Sequence, residues 1–202
     1  ETGRIGCLRG YTVSLSGRAE ASPDHPGIIM GDASACLVEF GTTGVLRKRF
    51  TRSWVLPDEI RSIPDYDRKA ASIADYAMNK GVRMLVMMPS WGLALMETVI
   101  RRYNEKHERP VSTLGEIWPN LHLVFCGGLP LRAYRNSIAE RNGLPSIDIL
   151  ETYCATESPF AFQSSQADPA LLLHLDNGVF YEFVRFDEYD DPRPQRYTVA
   201  DV

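Results

Sequence analysis

The sequence lacks the features that mark a membrane-spanning, secreted or nucleic-acid-binding protein. None of its apolar runs approaches the roughly 18 to 20 residues that cross a bilayer, and its first residues contain no continuous apolar segment of the signal-peptide kind. The net charge of −4 at pH 7 argues against a nucleic acid as partner, because phosphate backbones attract basic surfaces. We therefore expect a cytoplasmic protein whose partners are neither membranes nor nucleic acids.

Metal-ligand spacing is also lacking. The four cysteines contain no C-x-x-C pair and the four histidines show no ligand spacing, so a zinc site is not expected. Cysteines distributed in this way fit reduced thiols in the cytosol. Cys126 ends the apolar run LHLVFC and is expected to be a small buried hydrophobic side chain.

What the sequence does have is the composition of one globular domain. Its 202 residues are 44% hydrophobic and 24% charged, which is ordinary for a globular protein and enough to bury a sizeable core. We find no internal repeat and no low-complexity tract, and we treat residues 1–202 as a single domain.

The middle of the chain alternates between helix and strand patterns. IPDYDRKAASIADYAMNKG predicts a capped amphipathic helix with a glycine stop at Gly81. Beyond it, strand, helix, strand, helix and strand are expected in VRMLVMMPSW, LALMETVIRRYNEKH, NLHLVFCGG, LRAYRNSIAERNG and IDILETY. This order predicts an α/β fold with a mostly parallel sheet and flanking helices. The nearly continuous apolar runs indicate strands that are buried on both faces.

Both ends of the chain favour short strands. YTVSLSG alternates between polar and apolar residues, as a strand does. In ALLLHLDNGVFYEFVRFDE, two strand-like segments flank Asn177–Gly178, which predicts a β-hairpin with this dipeptide at its turn.

Three segments follow the predicted parallel strands, namely MPSWG, CGGLP and TYCATE. Ligands of such sheets bind outside the carboxyl ends of the strands, so these segments are expected to be loops that meet along one rim. There, Gly127 and Gly128 would let a flat ring or a phosphate approach the backbone. Tyr153 could stack on a planar base, Thr156 could donate to a phosphate oxygen, and the Glu157 carboxylate suits Mg²⁺. The ordinary alternatives are a Gly-Gly turn and a strand end with a helix-capping Thr.

These segments resemble the adenylate-forming superfamily, in which a Gly-Gly-x-Pro-Leu turn precedes a Tyr-x-x-Thr/Ser-Glu motif. CGGLPL and YCATE match the two motifs in that order. Within the superfamily, IWPNLHLVFCGG, MMPSWG, ETYCATESPFAF and HLDNGVFYEFV are similar to the auxin-responsive acyl-acid-amido synthetases. The likeness covers roughly residues 60 to 185.

The resemblance implies a ligase that uses ATP and Mg²⁺ to activate a carboxylic acid as an acyl-adenylate, and then transfers the acyl group to an amine, often an amino acid. By motif, Tyr153 and Ala155 belong to the nucleotide site, with Tyr153 stacked on adenine. Thr156 contacts the α-phosphate, and Glu157 binds Mg²⁺. The remaining implied positions are Gly127, Gly128 and Leu129 on the adenine side, and Ser90 and Trp91 at the acyl pocket. Trp91 could equally be a core aromatic, whereas Trp118 is expected in the core.

The chain also departs from the family pattern. Family members are much longer, with a phosphate loop upstream and a ribose-binding Asp downstream of the matched region. Gly41–Gly44 imitates the phosphate loop, but Glu39 and Phe40 stand where small hydroxylated residues are expected. Cys154 replaces a small residue and has no base nearby in sequence to make it a nucleophile. We therefore expect an internal piece of a larger adenylating enzyme, or a reduced relative of one.

Two alternatives to an amide-forming ligase remain open. The acyl group could pass to a thiol such as coenzyme A, because the adenylation motifs are shared between the two reactions. The chain could instead be a non-catalytic module that keeps the fold and binds a nucleotide or a partner only. Intact Tyr153, Thr156 and Glu157 argue against that second alternative.

Overall fold

The structure is a computed structural model, and it describes residues 10–32, 34–36, 56–155 and 157–201. Thr156, Gly41–Gly44 and Cys7 lie outside the described residues, so the expectations placed on them are not addressed by it. Within the described part of the chain, none of the helices has the length and apolar character needed to cross a membrane.

The centre of the fold is a six-stranded sheet. Its strands are β1 (Tyr11–Ser14), β4 (Val82–Met87), β5 (Leu123–Gly127), β6 (Asp148–Cys154), β7 (Pro159–Gln163) and β8 (Leu171–Leu173), in that spatial order. The first four run parallel, and β7 and β8 add antiparallel neighbours at one edge. The described residues also form two small antiparallel pairs, β2 (Glu20–Ala21) with β3 (Ile29–Met30), and β9 (Glu182–Val184) with β10 (Arg196–Thr198). The predicted α/β class, with its mostly parallel sheet, is confirmed.

The helices are α1 (Asp58–Arg61), α2 (Tyr66–Ala77), α3 (Pro89–Lys106), α4 (Leu114–Ile117) and α5 (Arg135–Asn142). Local signals explain their ends. The Asp65 side chain accepts a 2.9 Å hydrogen bond from the Arg68 N–H and so caps α2. After α5, Gly143 adopts a left-handed conformation with φ of 71°, which is the usual glycine stop.

Helix α3 begins earlier than the sequence pattern predicts. Pro89 occupies its first turn, so the predicted loop MPSWG is wrong and Ser90 and Trp91 are helical. Proline suits this position because its missing N–H has no partner in a first helical turn. Gly92 lets the helix pack directly on the end of β4, since a Cβ there would collide with the side chain of Met87.

One face of the sheet carries the hydrophobic core. Leu85, Val124 and Ile149 lie side by side on β4, β5 and β6, at most 2% exposed, and buried side chains of α2, α3, α4 and α5 pack against them. Trp118 and Cys126 belong to the same core, as expected. The opposite face is buried at Val82 and Met84 of β4 and half-buried at Val86, Phe125 and Leu150. Burial on both faces is therefore confirmed for most of β4, whereas β5 and β6 are buried on one face only.

The predicted hairpin at Asn177–Gly178 is also wrong in its pairing. Gly178 does turn the chain, with φ of 75°. However, the strand before it, β8, pairs with β7, and the strand after it, β9, pairs with β10. The antiparallel hairpins of this region are therefore β6–β7, β7–β8 and β9–β10.

Candidate functional site at the carboxyl ends of the parallel strands

The carboxyl ends of β4, β5 and β6 meet at one rim, as expected. Met87 pairs with Cys126, and Cys126 pairs with Glu151. One step further along, Gly127 pairs with Thr152. The residues that follow, Met88, Gly128 and Tyr153, therefore emerge from neighbouring strands at the same edge of the sheet.

The two glycines of the rim are required by different contacts. A Cβ on Gly127 would lie 3.0 Å from Thr152 Cγ2 and 3.2 Å from the Thr152 carbonyl oxygen, so glycine favours the close approach of β5 and β6 here. Gly128 has φ of 86°, in the left-handed region that L side chains rarely adopt. Its missing Cβ would lie 3.4 Å from Met88 Cε. Leu129 follows half-buried, before a short 3₁₀ turn over Leu131–Ala133.

The motif that follows β6 forms the end of a hairpin. Tyr153 pairs with Ala161 and Cys154 pairs with Pro159, with an irregularity between the two pairs. The Ala155 N–H donates to the Ser158 carbonyl at 3.0 Å and closes the connection between the strands. The strand-end part of the alternative interpretation is correct, since Tyr153 and Cys154 end β6, whereas its helix-capping part falls on Thr156, outside the described residues. Glu157 lies exposed in this connection.

Tyr153 presents an aromatic ring at the rim. It is 55% exposed, although it belongs to a strand of the central sheet. Its ring stacks on Phe160 of β7, with centroids 5.6 Å apart and an angle of 29° between the planes. Phe160 in turn meets the ring of Tyr181 edge-on at 6.2 Å. The Tyr153 ring is thus supported from one side and remains accessible for stacking.

The sequence-based analysis did not single out Phe160 or Met88. The alternation of SPFAFQ gave no signal for Phe160, because it places this residue on the strand face opposite Ala161, whereas Tyr153 pairs with Ala161. Met88 carried no signal, because its contact with Gly128 joins residues that are far apart along the chain.

The two proposed acyl-pocket residues lie in the first turn of α3. Trp91 is 54% exposed, so the alternative of a core aromatic is wrong. Its ring packs on Tyr66 of α2 at 5.5 Å, and the Tyr66 hydroxyl donates to the Trp91 carbonyl. Burial raises the pKa of that hydroxyl, with the nearby Asp67 charge adding to the effect, so it remains a donor at neutral pH. Ser90 is half-buried beside it.

Polar groups behind the rim brace the strands that carry it. The buried Gln163 carbonyl accepts from Arg135 Nη2 at 3.1 Å and from the Glu151 N–H at 3.2 Å. Its amide donates to the Asp168 carbonyl at 2.7 Å. These bonds join helix α5, strand β6 and strand β7, and the bond to β6 is made at Glu151, two residues before Tyr153.

The thiols at the rim differ in environment. Burial, with a smaller contribution from the nearby Glu151 charge, raises the pKa of Cys126 to about 12, so this thiol stays protonated and unreactive. Cys154 is partly exposed, with its sulfur 3.5 Å from Thr152 Oγ1.

The chemistry of the rim fits a magnesium ion only if a ligand contributes most of the oxygens. In the described part of the chain, no three His, Cys, Asp or Glu side chains gather as a metal site. Glu157 offers one exposed carboxylate. Mg²⁺ commonly takes one or two protein carboxylates together with substrate phosphates and waters, and this arrangement agrees with a single acid.

Comparison with solved structures identifies the fold. The chain resembles the crystal structure of an open conformation of 2-hydroxyisobutyryl-CoA ligase in complex with 2-HIB-AMP and CoA, with a TM-score of 0.50 and 18% sequence identity. The match covers 87% of this chain and 34% of that one, so the present chain corresponds to about a third of the ligase. A scan of protein-family models and a search of curated proteins return no match. The α/β fold is therefore shared with a ligase that binds an acyl-adenylate.

Proposed function

We propose that this chain carries the nucleotide side of an adenylate-forming ligase, which activates a carboxylic acid with ATP and passes the acyl group to an amine. The observation that carries the proposal is the half-exposed Tyr153 ring beside the Gly127–Gly128 rim. The shared fold with a ligase that holds an acyl-adenylate supports it.

In this proposal, different residues of the rim bind different parts of the nucleotide. The adenine ring stacks on the free face of Tyr153, while Phe160 supports the opposite face. The backbone of Gly127 and Gly128 is assigned to the edge of the base by its motif. Glu157 is assigned to a Mg²⁺ ion that neutralises phosphate charge when bound. Thr156, outside the described residues, is assigned to the α-phosphate by its motif alone.

The reaction would proceed in two displacements. A carboxylate oxygen forms a bond to the α-phosphorus of ATP, and the bond to the β-phosphate oxygen breaks, which releases pyrophosphate. An amine nitrogen then attacks the acyl carbon, AMP leaves, and the nitrogen loses a proton. Catalysis of the first step rests on positioning and on charge stabilisation, which is what a rim of backbone and one carboxylate can contribute.

A thiol acceptor is the second candidate, and one specific observation favours it. The structurally similar ligase was captured with CoA as well as with an acyl-adenylate. The amine acceptor is favoured by the sequence likeness to the acyl-acid-amido synthetases. Mass spectrometry of products formed from one carboxylic acid, ATP, an amino-acid mixture and CoA would separate an amide from a thioester.

Calorimetric titration of the full chain with AMP and with Mg-ATP tests the nucleotide site. We expect both to bind, and we expect Glu157→Gln to weaken Mg-ATP roughly tenfold while AMP is little affected, because the carboxylate acts through the metal and the phosphates. Glu140→Gln, at an exposed position on α5, is the matched control. Equal losses for both ligands in the Glu157 variant would contradict its metal role, and absence of binding by the unmodified chain would contradict the nucleotide site.

A further inference from the structure

The side chain of Asn177 joins three parts of the antiparallel region. Its amide nitrogen lies 3.1 Å from Ser158 Oγ, 3.0 Å from the Pro159 carbonyl oxygen and 2.9 Å from the Tyr181 hydroxyl oxygen. Its carbonyl oxygen accepts from the Val179 N–H at 3.2 Å. An amide has two N–H protons, so the three acceptors share them. Every polar atom of this side chain is therefore engaged.

Tyr181 extends the same network. Its hydroxyl accepts from Asn177 and donates to the His174 carbonyl at 3.0 Å. Its ring meets Phe160 edge-on, with an angle of 76° between the planes. We call Asn177, Tyr181 and Ser158 the Asn177 clasp.

The clasp reaches the candidate nucleotide site along two routes. Through Ser158 and Pro159 it holds the connection that the Ala155 N–H closes and that carries Glu157. Through Tyr181 it holds Phe160, on which the Tyr153 ring stacks. Asn177 is thus linked through Ser158 to the neighbouring Glu157, and through Tyr181 and Phe160 to the Tyr153 ring.

Hydrogen bonds that order a binding site before the ligand arrives increase its affinity for the ligand. Short antiparallel strands with few buried side chains are marginally stable by themselves. A ring and a turn that sample several positions must be ordered when a ligand binds, and this ordering reduces affinity. Hydrogen bonds that fix them beforehand avoid that cost.

We propose that Asn177 is the positioning residue of the nucleotide site, and that it holds the Tyr153 ring and the hydrogen bond between the Ala155 N–H and the Ser158 carbonyl in place for the adenine and phosphate groups. The ligand part of this inference rests on the proposed function. The geometric part rests only on the contacts of the clasp, so the two parts can fail separately.

The geometric part is tested without a ligand by hydrogen exchange of backbone amides in the full chain, followed by NMR. In Asn177→Ala we expect the Ala155 N–H to exchange roughly tenfold faster, because the loss of about 1 kcal/mol or more of hydrogen bonding frees the connection. The Val124 N–H in the core strand serves as the reference and should keep its rate. The matched control is Asn136→Ala on the exposed side of α5. Unchanged exchange at Ala155 would overturn the inference.

The ligand part is tested by AMP affinity in the same variants. We expect Asn177→Ala and Tyr181→Phe each to weaken AMP binding roughly three- to tenfold while the chain stays folded by circular dichroism. Tyr181→Phe keeps the ring and removes only the hydroxyl, so it covers the case in which Asn177→Ala does not fold. Tyr189→Phe, at a highly exposed position, is its control.

A double-mutant cycle with Tyr153→Leu separates positioning from general destabilisation. If Asn177 acts through the ring, its effect on AMP shrinks in the Tyr153→Leu background. Fully additive losses, or faster exchange with unchanged AMP affinity, would show a structural role only and overturn the inference. If the unmodified chain binds no AMP, the proposed function fails, and the exchange of Ala155 alone decides whether the clasp positions the connection.

Discussion

Strands β4, β5 and β6 carry one continuous buried face, whereas the region from β7 to β10 buries little. Among its described hydrophobic residues only Ala161 is buried, and large exposed apolar side chains are frequent, among them Leu172, Phe180 and Phe186. The parallel half is held by packing against helices. The antiparallel region is held by hydrogen bonds, such as those of Asn177 and Gln163, and by ring contacts. The candidate site lies where the two regions meet. Gly127 and Gly128 follow a strand of the packed parallel region, whereas the Tyr153 ring is supported by Phe160 of the antiparallel region.

The largest expected effect concerns packing in the two regions. Leu85→Ala should lower the free energy of unfolding by about 2–5 kcal/mol, because the side chain is 1% exposed and its loss leaves a cavity. Leu172→Ala removes the same atoms from a position 57% exposed and should cost less than about 0.5 kcal/mol. Urea unfolding of the two variants measures both. Similar costs would mean that the antiparallel region is packed as tightly as the parallel one.

Next in size is the effect of the aromatic ring at the border. Tyr153→Ala should weaken AMP binding by about 1–3 kcal/mol, the usual range for stacking of a base on an aromatic side chain. Tyr189→Ala removes an exposed ring in the antiparallel region and should leave the affinity unchanged. Calorimetry with AMP makes this comparison, and an unchanged affinity in the Tyr153 variant would remove this residue from the site.

A smaller effect is expected for the backbone of the rim. Gly128→Ala forces an L side chain to a φ of 86° and should destabilise the fold by roughly 1–2 kcal/mol. Gly81→Ala introduces a methyl group into open space without a positive φ, and should be neutral or slightly stabilising. Thermal unfolding distinguishes the two. Equal stability would show that the rim can relax around a Cβ.

The smallest effect concerns the helix surface of the parallel half. Hydrogen bonding with Arg102 lowers the pKa of Asp75, although burial works in the opposite direction, and Lys106 adds to the lowering. A carboxylate whose pKa is depressed by folding stabilises the fold above its unfolded pKa of about 4, and this contribution disappears as the pH falls through the folded pKa. Asp75→Asn should cost less than about 1 kcal/mol at pH 7, because solvent screens the pair.

Urea unfolding at pH 7 and at pH 2.5 measures this difference. The difference in free energy of unfolding between the unmodified chain and Asp75→Asn should be smaller at the lower pH. At pH 7, 1 M salt should also reduce this difference. A gap that is independent of both pH and salt would show that the side chain acts through packing and not through charge.

The elements that could be predicted from the sequence are those whose signals are local. Helix α2 has a capping Asp65 and regular apolar spacing, and its position was predicted closely. The predicted glycine stop at Gly81 is wrong, because the helix already ends at Ala77 and Gly81 has no positive φ. Strands β4, β5 and β6 follow from compact apolar runs. The start of α3 was missed because Pro89 was interpreted as a loop residue, although proline is also common in the first turn of a helix.

Strand pairing was predicted less well, for a physical reason. Asn177–Gly178 is a strong local turn signal and does turn the chain, but the partner of each flanking strand is decided by the rest of the sheet. Strand β8 pairs with β7, and β9 pairs with β10. Burial on both faces was predicted correctly for most of β4 but not for β5 and β6, because apolar content does not say which face the helices cover.

The sequence by itself determined the α/β order, the rim of strand ends and the motif residues Gly127, Gly128, Tyr153 and Glu157, because periodicity, glycine and motif spacing are properties of short segments. Only the tertiary structure decided that Phe160 supports the Tyr153 ring, that Met88 lies against Gly128, and that Asn177 fastens the connection after β6. These contacts join residues that are distant along the chain. They exist because packing of the helices and strands brings them together, and no local pattern encodes that packing.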